Sequence, residues 1–316
     1  MNHNTPVIQT ENLSKIYRTG RQEVYALRSL NLSVQEGEIF GYLGPNGAGK
    51  TTTIRTLLDF IRPTTGRTLL FGQDAHLNSV ELHRRIGFLP GELNLWKNLT
   101  GTQVIHFLNR VRGADATPYA RQLAERLLLD LSIKVRNYST GNKRKLGLVI
   151  ALMHKPDLVI LDEPTNGLDP LMQQTFHEVM REVRAEGRTV FLSSHILSEV
   201  QAICDRVAIL RGGELKAVET VSDLTHTDFR WVTLRFREPV SPAQLGSVPG
   251  VSDVTAVEDG LRLRLHGDFD PLLRQINGYY VKDVRVQEPS LEEIFLTFYD
   301  GRHTQEMAAA KEKAQS

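Results

Sequence analysis

The 316-residue sequence has little cysteine and little tryptophan: one Cys, Cys204, and two Trp. A lone thiol excludes an internal disulfide framework and any cysteine-cluster metal site. An excess of charge of one sign is lacking too. Lysines and arginines number 38 against 37 aspartates and glutamates, a formal net charge of +1, which argues against a chain that binds nucleic acid as a polyelectrolyte. No apolar run approaches the roughly 18 residues that a membrane-spanning helix needs; the longest, around Leu158–Leu161 and Leu146–Met153, are far shorter. The first ten residues are polar, with neither a basic segment nor an apolar stretch of the secretory type, so a cytoplasmic location is the default expectation. What is present is ordinary for a folded chain: 41% hydrophobic and 24% charged residues, enough for a sizeable core in one large domain or two unequal ones.

From Val7 to about Glu219, short β-rich runs alternate with helical patterns, the mark of an α/β domain around a mostly parallel sheet. Ile39–Leu43, Leu158–Leu161, Val190–Leu192 and Val207–Leu210 are nearly continuous apolar runs, suited to strands covered on both faces. Helical spacing recurs in Ile54/Leu57/Leu58/Ile61 before Pro63, in Val104/Phe107/Leu108/Val111 before Gly113, in Leu146/Val149/Ile150/Met153 before Pro156, and in Phe176/Val179/Met180/Val183 before Gly187. Residues 91–153 are therefore expected to form a mainly helical insertion between strands. Beyond about 220 the pattern changes. Val232/Leu234/Phe236 and Leu261/Leu263/Leu265 alternate with polar residues, as half-buried strands do; Pro271–Ile276 reads as a short helix and Val281/Val284/Val286 as another strand. Ser290 and Glu293 form a capping box that opens a last helix with Leu291, Ile294, Phe295 and Phe298 on its apolar side. A first domain over 1–220, a small α+β domain over 221–300 and a mobile or partly helical tail over 301–316 are thus expected.

Gly44, Pro45, Asn46, Gly47, Ala48, Gly49, Lys50 and Thr51 match G-x-x-x-x-G-K-[ST] between an apolar strand and a helix. Such a loop aims several backbone N–H groups at phosphate oxygens, and the helix N-terminus adds partial positive charge. Lys50 is placed to reach the β- and γ-phosphates and the Thr51 hydroxyl to ligate Mg²⁺. Asp162 and Glu163 end the strand Leu158–Leu161, at the edge where open α/β sheets bind ligands. The first acid suits Mg²⁺; the second is placed to orient or deprotonate an attacking water. His195 follows the strand Val190–Leu192 and is a candidate for the γ-phosphate. The Lys143, Arg144, Lys145 run reads as a solvated helix face. Trp96 suits either the core or a partner.

Taken in order, these residues resemble the ATP-binding subunits of ABC transporters over about residues 7–219. In that resemblance Gly44–Thr52, including Thr52, is the Walker A motif, Asp162 the Walker B acid, Glu163 the catalytic glutamate and His195 the switch histidine. Asn166–Asp169 is the D-loop, and Tyr17 is the residue that stacks on adenine, with Tyr25 the alternative. Tyr138–Asn142, with Ser139 lying 23 residues ahead of Asp162, stands where the signature motif belongs, though only Ser139 and Gly141 match it outright. Gly91 stands where the family has a glutamine; either Glu92 substitutes for it in part or water fills the position.

The resemblance implies a P-loop NTPase cassette: a mostly parallel core sheet, an antiparallel β subdomain and the helical insertion, followed here by the small α+β domain. It implies ATP and Mg²⁺ as ligands and a head-to-tail dimer in which Ser139 and Gly141 of one copy reach the nucleotide held by Lys50 of the other, while Asp169, counted with the nucleotide-binding residues, lies across the dimer interface. Since this chain carries no apolar span, it also implies separate transmembrane permease subunits and a peripheral position on the cytoplasmic face of the cell membrane. Glu288–Phe295 resembles the extension of subunits that serve ABC-2-type exporters. A soluble ABC ATPase acting on nucleic acid, the ribosome or metal-cluster assembly is the alternative; no nucleic-acid partner is expected.

Overall fold

In a computed structural model that describes residues 6–20, 22–222 and 229–287, the four apolar runs are four adjacent strands. The chain divides into two units, 1–220 and 221–316. In chain order the first unit contains β1 (Ile8–Thr19), β2 (Gln22–Val34), β3 (Ile39–Leu43), α1 (Lys50–Leu57), β4 (Thr65–Leu70), β5 (Gln73–Asp74), α2 (Ser79–Arg84) and β6 (Ile86–Leu89). There follow α3 (Gly101–Arg112), α4 (Thr117–Arg126), a 3₁₀ turn (Val135–Asn137), α5 (Thr140–Leu152), β7 (Leu158–Asp162), α6 (Pro170–Ala185), β8 (Thr189–Ser194), α7 (Leu197–Ile203), β9 (Arg206–Arg211) and β10 (Glu214–Thr220).

The central sheet runs β10-β9-β3-β8-β7-β6, parallel from β9 to β6, with β10 added antiparallel at one edge. Every residue of β3, β7 and β8 is buried, which is why these strands read as unbroken apolar runs rather than alternating ones. Phe191 stacks on Phe40 with ring centroids 6.0 Å apart and meets Tyr42 at 5.2 Å. A second, antiparallel sheet orders β2-β1-β4-β5 and shares a core with α1 and with strands of the central sheet. The fold of this unit is the α/β cassette with an antiparallel subdomain and a helical insertion between β6 and β7.

Three expectations need correction. The helix α1 stops at Leu57, and Asp59 then takes a left-handed backbone (φ 56°), so Ile61 lies in a turn before Pro63 is reached. Along α3 the buried residues are Gly101, Val104, Ile105 and Asn109, whereas Phe107 and Val111 are exposed; Trp96 packs edge-on against Phe107 at 5.1 Å. The Lys143–Lys145 run is not a solvated face, since Arg144 and Lys145 are buried at 4% and 9% exposure.

The second unit holds β11 (Phe229–Phe236), α8 (Pro242–Gly246), β12 (Val251–Val257), β13 (Gly260–His266), α9 (Asp270–Ile276) and β14 (Val281–Gln287). Its sheet is antiparallel in the order β12-β13-β11-β14, and Val232, Leu234, Phe236, Leu261, Leu263 and Leu265 share one core with Leu272 and Ile276 of α9. The alternation seen in the sequence is therefore the inner and outer face of this sheet. The helix expected from Ser290 onward and the tail lie outside the described residues.

A feature of β6 fixes the placement of the insertion. A Cβ on Gly87 would sit 1.9 Å from the Ala151 carbonyl oxygen and 2.8 Å from Pro156 Cγ, so α5 reaches the sheet backbone to backbone. Replacing Gly87 by Ala is expected to destabilise the first unit by roughly 3 kcal/mol, the upper range for overpacking, as read by urea unfolding. A second check concerns His154, whose Nε2 lies 3.2 Å from the Ile86 carbonyl oxygen. Burial, helped by the nearby Arg112 charge, pushes its pKa from 6.5 down to about 4. The folded state therefore holds the imidazole neutral, while the unfolded chain takes up a proton below about 6.5. Its contribution is complete above that pH and is lost as pH falls toward 4. His154→Phe should flatten unfolding stability between pH 7 and pH 4 by up to roughly 2 kcal/mol relative to the parent.

Candidate active site

Side chains from the carboxyl ends of β3, β7 and β8 converge on one cavity of about 380 Å³, which is lined by the loop from Pro45 to Thr52 with Ala26, Gly91, Asp162, Glu163, Asn166 and His195. The parallel register brings them together: Asp162 pairs with Ser193 and Leu43 with Ser194, so all three strands end at the same level. The turn into α1 depends on Gly49, which has φ 108°; a Cβ there would lie 2.5 Å from the Ala26 carbonyl oxygen. Gly49 offers no side chain to cap α1, and the first-turn amides of a helix have no partners within it. These amides belong to residues that line the cavity, which is the donor set an anion requires.

Lys50 is buried, and its ammonium donates to the carbonyl oxygens of Gly44 (2.6 Å) and Pro45 (3.3 Å) while lying 3.2 Å from Glu163 Oε1. The other oxygen of that carboxylate, Oε2, is 2.5 Å from His195 Nδ1. One acid thus joins the lysine of the phosphate loop to the histidine that follows β8. Glu163 has a left-handed backbone (φ 53°), uncommon for a residue with a side chain. Its N–H donates to both the carbonyl oxygen (3.2 Å) and the Oγ (3.1 Å) of Ser193, which anchor this conformation.

The preceding acid is held differently. Asp162 is 2% exposed and accepts from Thr51 Oγ1 at 2.9 Å on one oxygen and from Ser193 Oγ at 2.6 Å on the other. Asp162 Oδ2 and Thr51 Oγ1 form an adjacent pair of hard oxygen atoms at the cavity wall, a donor set that fits Mg²⁺. Among the described residues no group of three or more His, Cys, Asp or Glu gathers to hold a metal. Behind the site Glu199 accepts from Thr165 Oγ1 (2.5 Å) and Ser194 Oγ (2.7 Å), tying the segment after β7 to the end of β8.

Other anticipated residues lie elsewhere. Ser139 caps α5, its hydroxyl accepting from the Asn142 N–H at 3.2 Å; it is exposed and does not line the cavity. Gly141 packs against the segment after β7, where a Cβ would stand 2.7 Å from the Gly167 carbonyl oxygen. Asp169 caps α6 through the Met172 N–H at 3.0 Å, also away from the cavity wall. Tyr17 and Tyr25 are exposed and outside it as well; Tyr17 pairs with Val24 and Ile16 with Tyr25, so the two tyrosines occupy opposite faces of the β1–β2 hairpin. Gly91 lines the cavity and a Cβ on it would sit 3.1 Å from Asp162 Oδ2, but Glu92 is exposed and off the wall, which does not support its standing in for a glutamine. Sequence reasoning gave no role at the site to Ser193 or Glu199, and it read the buried Arg144 as solvated. Ser193 and Ser194 do carry a signal, since two hydroxyls interrupt the end of an apolar strand.

Comparisons with known proteins give the family. Residues 27–166 match the family described as ABC transporter, and residues 212–299 match the C-terminal domain of DrrA1-3-like ATP-binding proteins. The chain is 41% identical to the uncharacterized ABC transporter ATP-binding protein all4389 of Nostoc sp., over 70% of this chain and 69% of that one. It is 33% identical to the bacitracin transport ATP-binding protein BcrA of Bacillus licheniformis, over 93% of this chain and 98% of that one. With the linearmycin resistance ATP-binding protein LnrL of Bacillus subtilis it shares 31% identity, over 92% and 97%. Among solved structures it is similar to an ATP-binding subunit of an ABC transporter, with TM-score 0.62, 30% identity and coverage of 69% of this chain and 91% of that one. It shares the fold of the dimeric cassette MJ0796 at TM-score 0.63 and 24% identity, over 68% of this chain and 98% of that one. With a phosphate loop, two acids and a histidine in one cavity and relatives matched over nearly their whole length, the chain belongs to the family of ABC transporter ATP-binding proteins and is an ATP-hydrolysing subunit.

Proposed function

We propose that the chain is the ATP-driven motor of an exporter, working as a dimer beneath separate membrane permease subunits. The observation that carries the catalytic part is the continuous set of contacts Lys50–Glu163–His195, at 3.2 and 2.5 Å, beside the Thr51–Asp162 pair in a single cavity. In this reading the amides of residues 47–52 and the Lys50 ammonium hold the triphosphate. Thr51 and Asp162 hold Mg²⁺, which neutralises phosphate charge when bound. Glu163 orients the attacking water and takes up its proton, and His195, bonded to Glu163, meets the γ-phosphate. Tyr17 stacks on the adenine.

The dimer part is supported by the placement of Ser139 and Gly141 at the start of α5, away from the chain's own cavity and half or fully open to a second copy. Their helix N-terminus suits the γ-phosphate held by Lys50 of that copy, with Asp169 near the junction. The exporter part is supported by the likeness over both units to proteins named for bacitracin transport and linearmycin resistance. Those names do not favour the alternative of a soluble ATPase serving nucleic acid, the ribosome or cluster assembly. No helix among the described residues is long and apolar enough to cross a membrane, so in this reading the permease is another chain and this one lies on the cytoplasmic face.

Two outcomes are expected. Glu163→Gln should bind Mg-ATP, lose roughly 100-fold or more in turnover and shift from monomer to dimer in size-exclusion light scattering; a monomer at saturating Mg-ATP would refute the sandwich. A tagged copy isolated from detergent-solubilised membranes should bring a polytopic membrane protein with it. Recovery only from the soluble fraction, with ribosomes or an assembly scaffold, would overturn the exporter reading.

A further inference from the structure

A buried charge on α5 has no role in the chemistry described so far. The Arg144 guanidinium, 4% exposed, donates through Nη1 to the carbonyl oxygens of Pro90 (2.7 Å) and Gly91 (3.2 Å), and through Nη2 to those of Asp162 (3.3 Å) and Glu163. Four main-chain acceptors from two separate segments thus share one planar fork. Burying a guanidinium costs several kcal/mol unless its donors are well used, and here burial depresses its pKa against the opposing pull of the Asp162 and Glu163 charges. The acceptors lie in the segments that carry the two acids of the site and the glycine that faces Asp162.

The backbone at Glu163 has the shape this contact needs. Consecutive carbonyls of an extended strand point to opposite sides, so two neighbours reach one donor group only if the chain turns between them. The left-handed φ of 53° at Glu163 supplies that turn. On the far side of the same segment, Gly141 of α5 packs against Gly167. The helix therefore braces the segment 162–167 at both ends while presenting Ser139 at its own start.

We propose that Arg144 is a positioning residue for ATP hydrolysis, holding the Asp162–Glu163 and Pro90–Gly91 peptides in one geometry relative to α5, so that the acids keep their places when the start of that helix engages nucleotide. The proposal rests on the ATPase reading above. Arg144 does not line the cavity, so its role falls on turnover and not on nucleotide affinity. A lysine keeps the charge but presents a point donor in place of a fork.

The test compares the full-length parent with Arg144→Lys and Arg144→Ala, reading kcat for Mg-ATP and the Kd of a fluorescent ATP analogue. Both variants should lose roughly 30-fold or more in kcat, within the roughly 100-fold that a misplacement of about 1 Å can cost, with Kd changed by less than about threefold. Free guanidinium ion at about 20 mM, far below the molar range that unfolds proteins, should restore part of the turnover of Arg144→Ala, whereas urea at that concentration should not. If the alanine variant does not fold, the kcat-against-Kd split of Arg144→Lys decides alone. Turnover within about threefold of the parent in a folded variant, or Kd weakening in step with kcat, overturns the proposal. Folded Arg144→Ala that guanidinium does not rescue also overturns it. A parent that fails to hydrolyse ATP overturns the underlying reading and the proposal with it.

Discussion

The Asp162 carboxylate, held between the hydroxyls of Thr51 and Ser193, is the interaction on which the rest of the site depends. A carboxylate this deep must have donors or it would not be tolerated. Each donor comes from a different strand end: Thr51 from the helix after β3, Ser193 from β8. The pair of bonds therefore fixes three parallel strands at a common level. Shift β8 by one residue, and Ser193 leaves both Asp162 and the Glu163 amide at once, because it serves both.

This economy explains why Glu163 can have an unfavourable backbone. A left-handed non-glycine residue costs of order 1 kcal/mol, and at Glu163 that cost is offset by the bonds its N–H donates to Ser193 and by the one its carbonyl oxygen accepts from Arg144. The carboxylate is thereby turned out of the strand direction and toward Lys50 and His195. Energy stored locally in the backbone gives a side-chain direction that an extended strand would not provide.

Much of this was legible in the sequence because the relevant constraints are local. The phosphate loop is a contiguous run, and the strands are apolar since both faces are covered, so both survive being read one residue at a time. The same holds for the alternating strands of the second unit, where Val232, Leu234, Leu261 and Leu263 turn inward. Legibility failed where acceptors come from far along the chain. Arg144 and Lys145 look like surface charge in a helix pattern; the partners that permit burial of Arg144 are main-chain carbonyls at Pro90, Gly91, Asp162 and Glu163, and a carbonyl carries no sequence signature. The exposure of Phe107 and Val111 was hidden for a related reason: helical periodicity identifies an apolar stripe without saying what covers it. The opposite facing of Tyr17 and Tyr25 follows from the strand pairing, with a register shift between Lys15 and Ile16, and no propensity reports such a shift.

The contact between Gly87 and the Ala151 carbonyl has a mechanical meaning. Backbone against backbone leaves no side chain to swing aside, and close-packed interiors shift between discrete arrangements instead of flowing. One turn earlier the approach is of another kind: a Cβ on Gly147 would press on the side-chain methyls of Leu89 and Leu93. The joint between α5 and β6 is thus a weld. Within the helical insertion, α5 is therefore part of the frame of the central sheet.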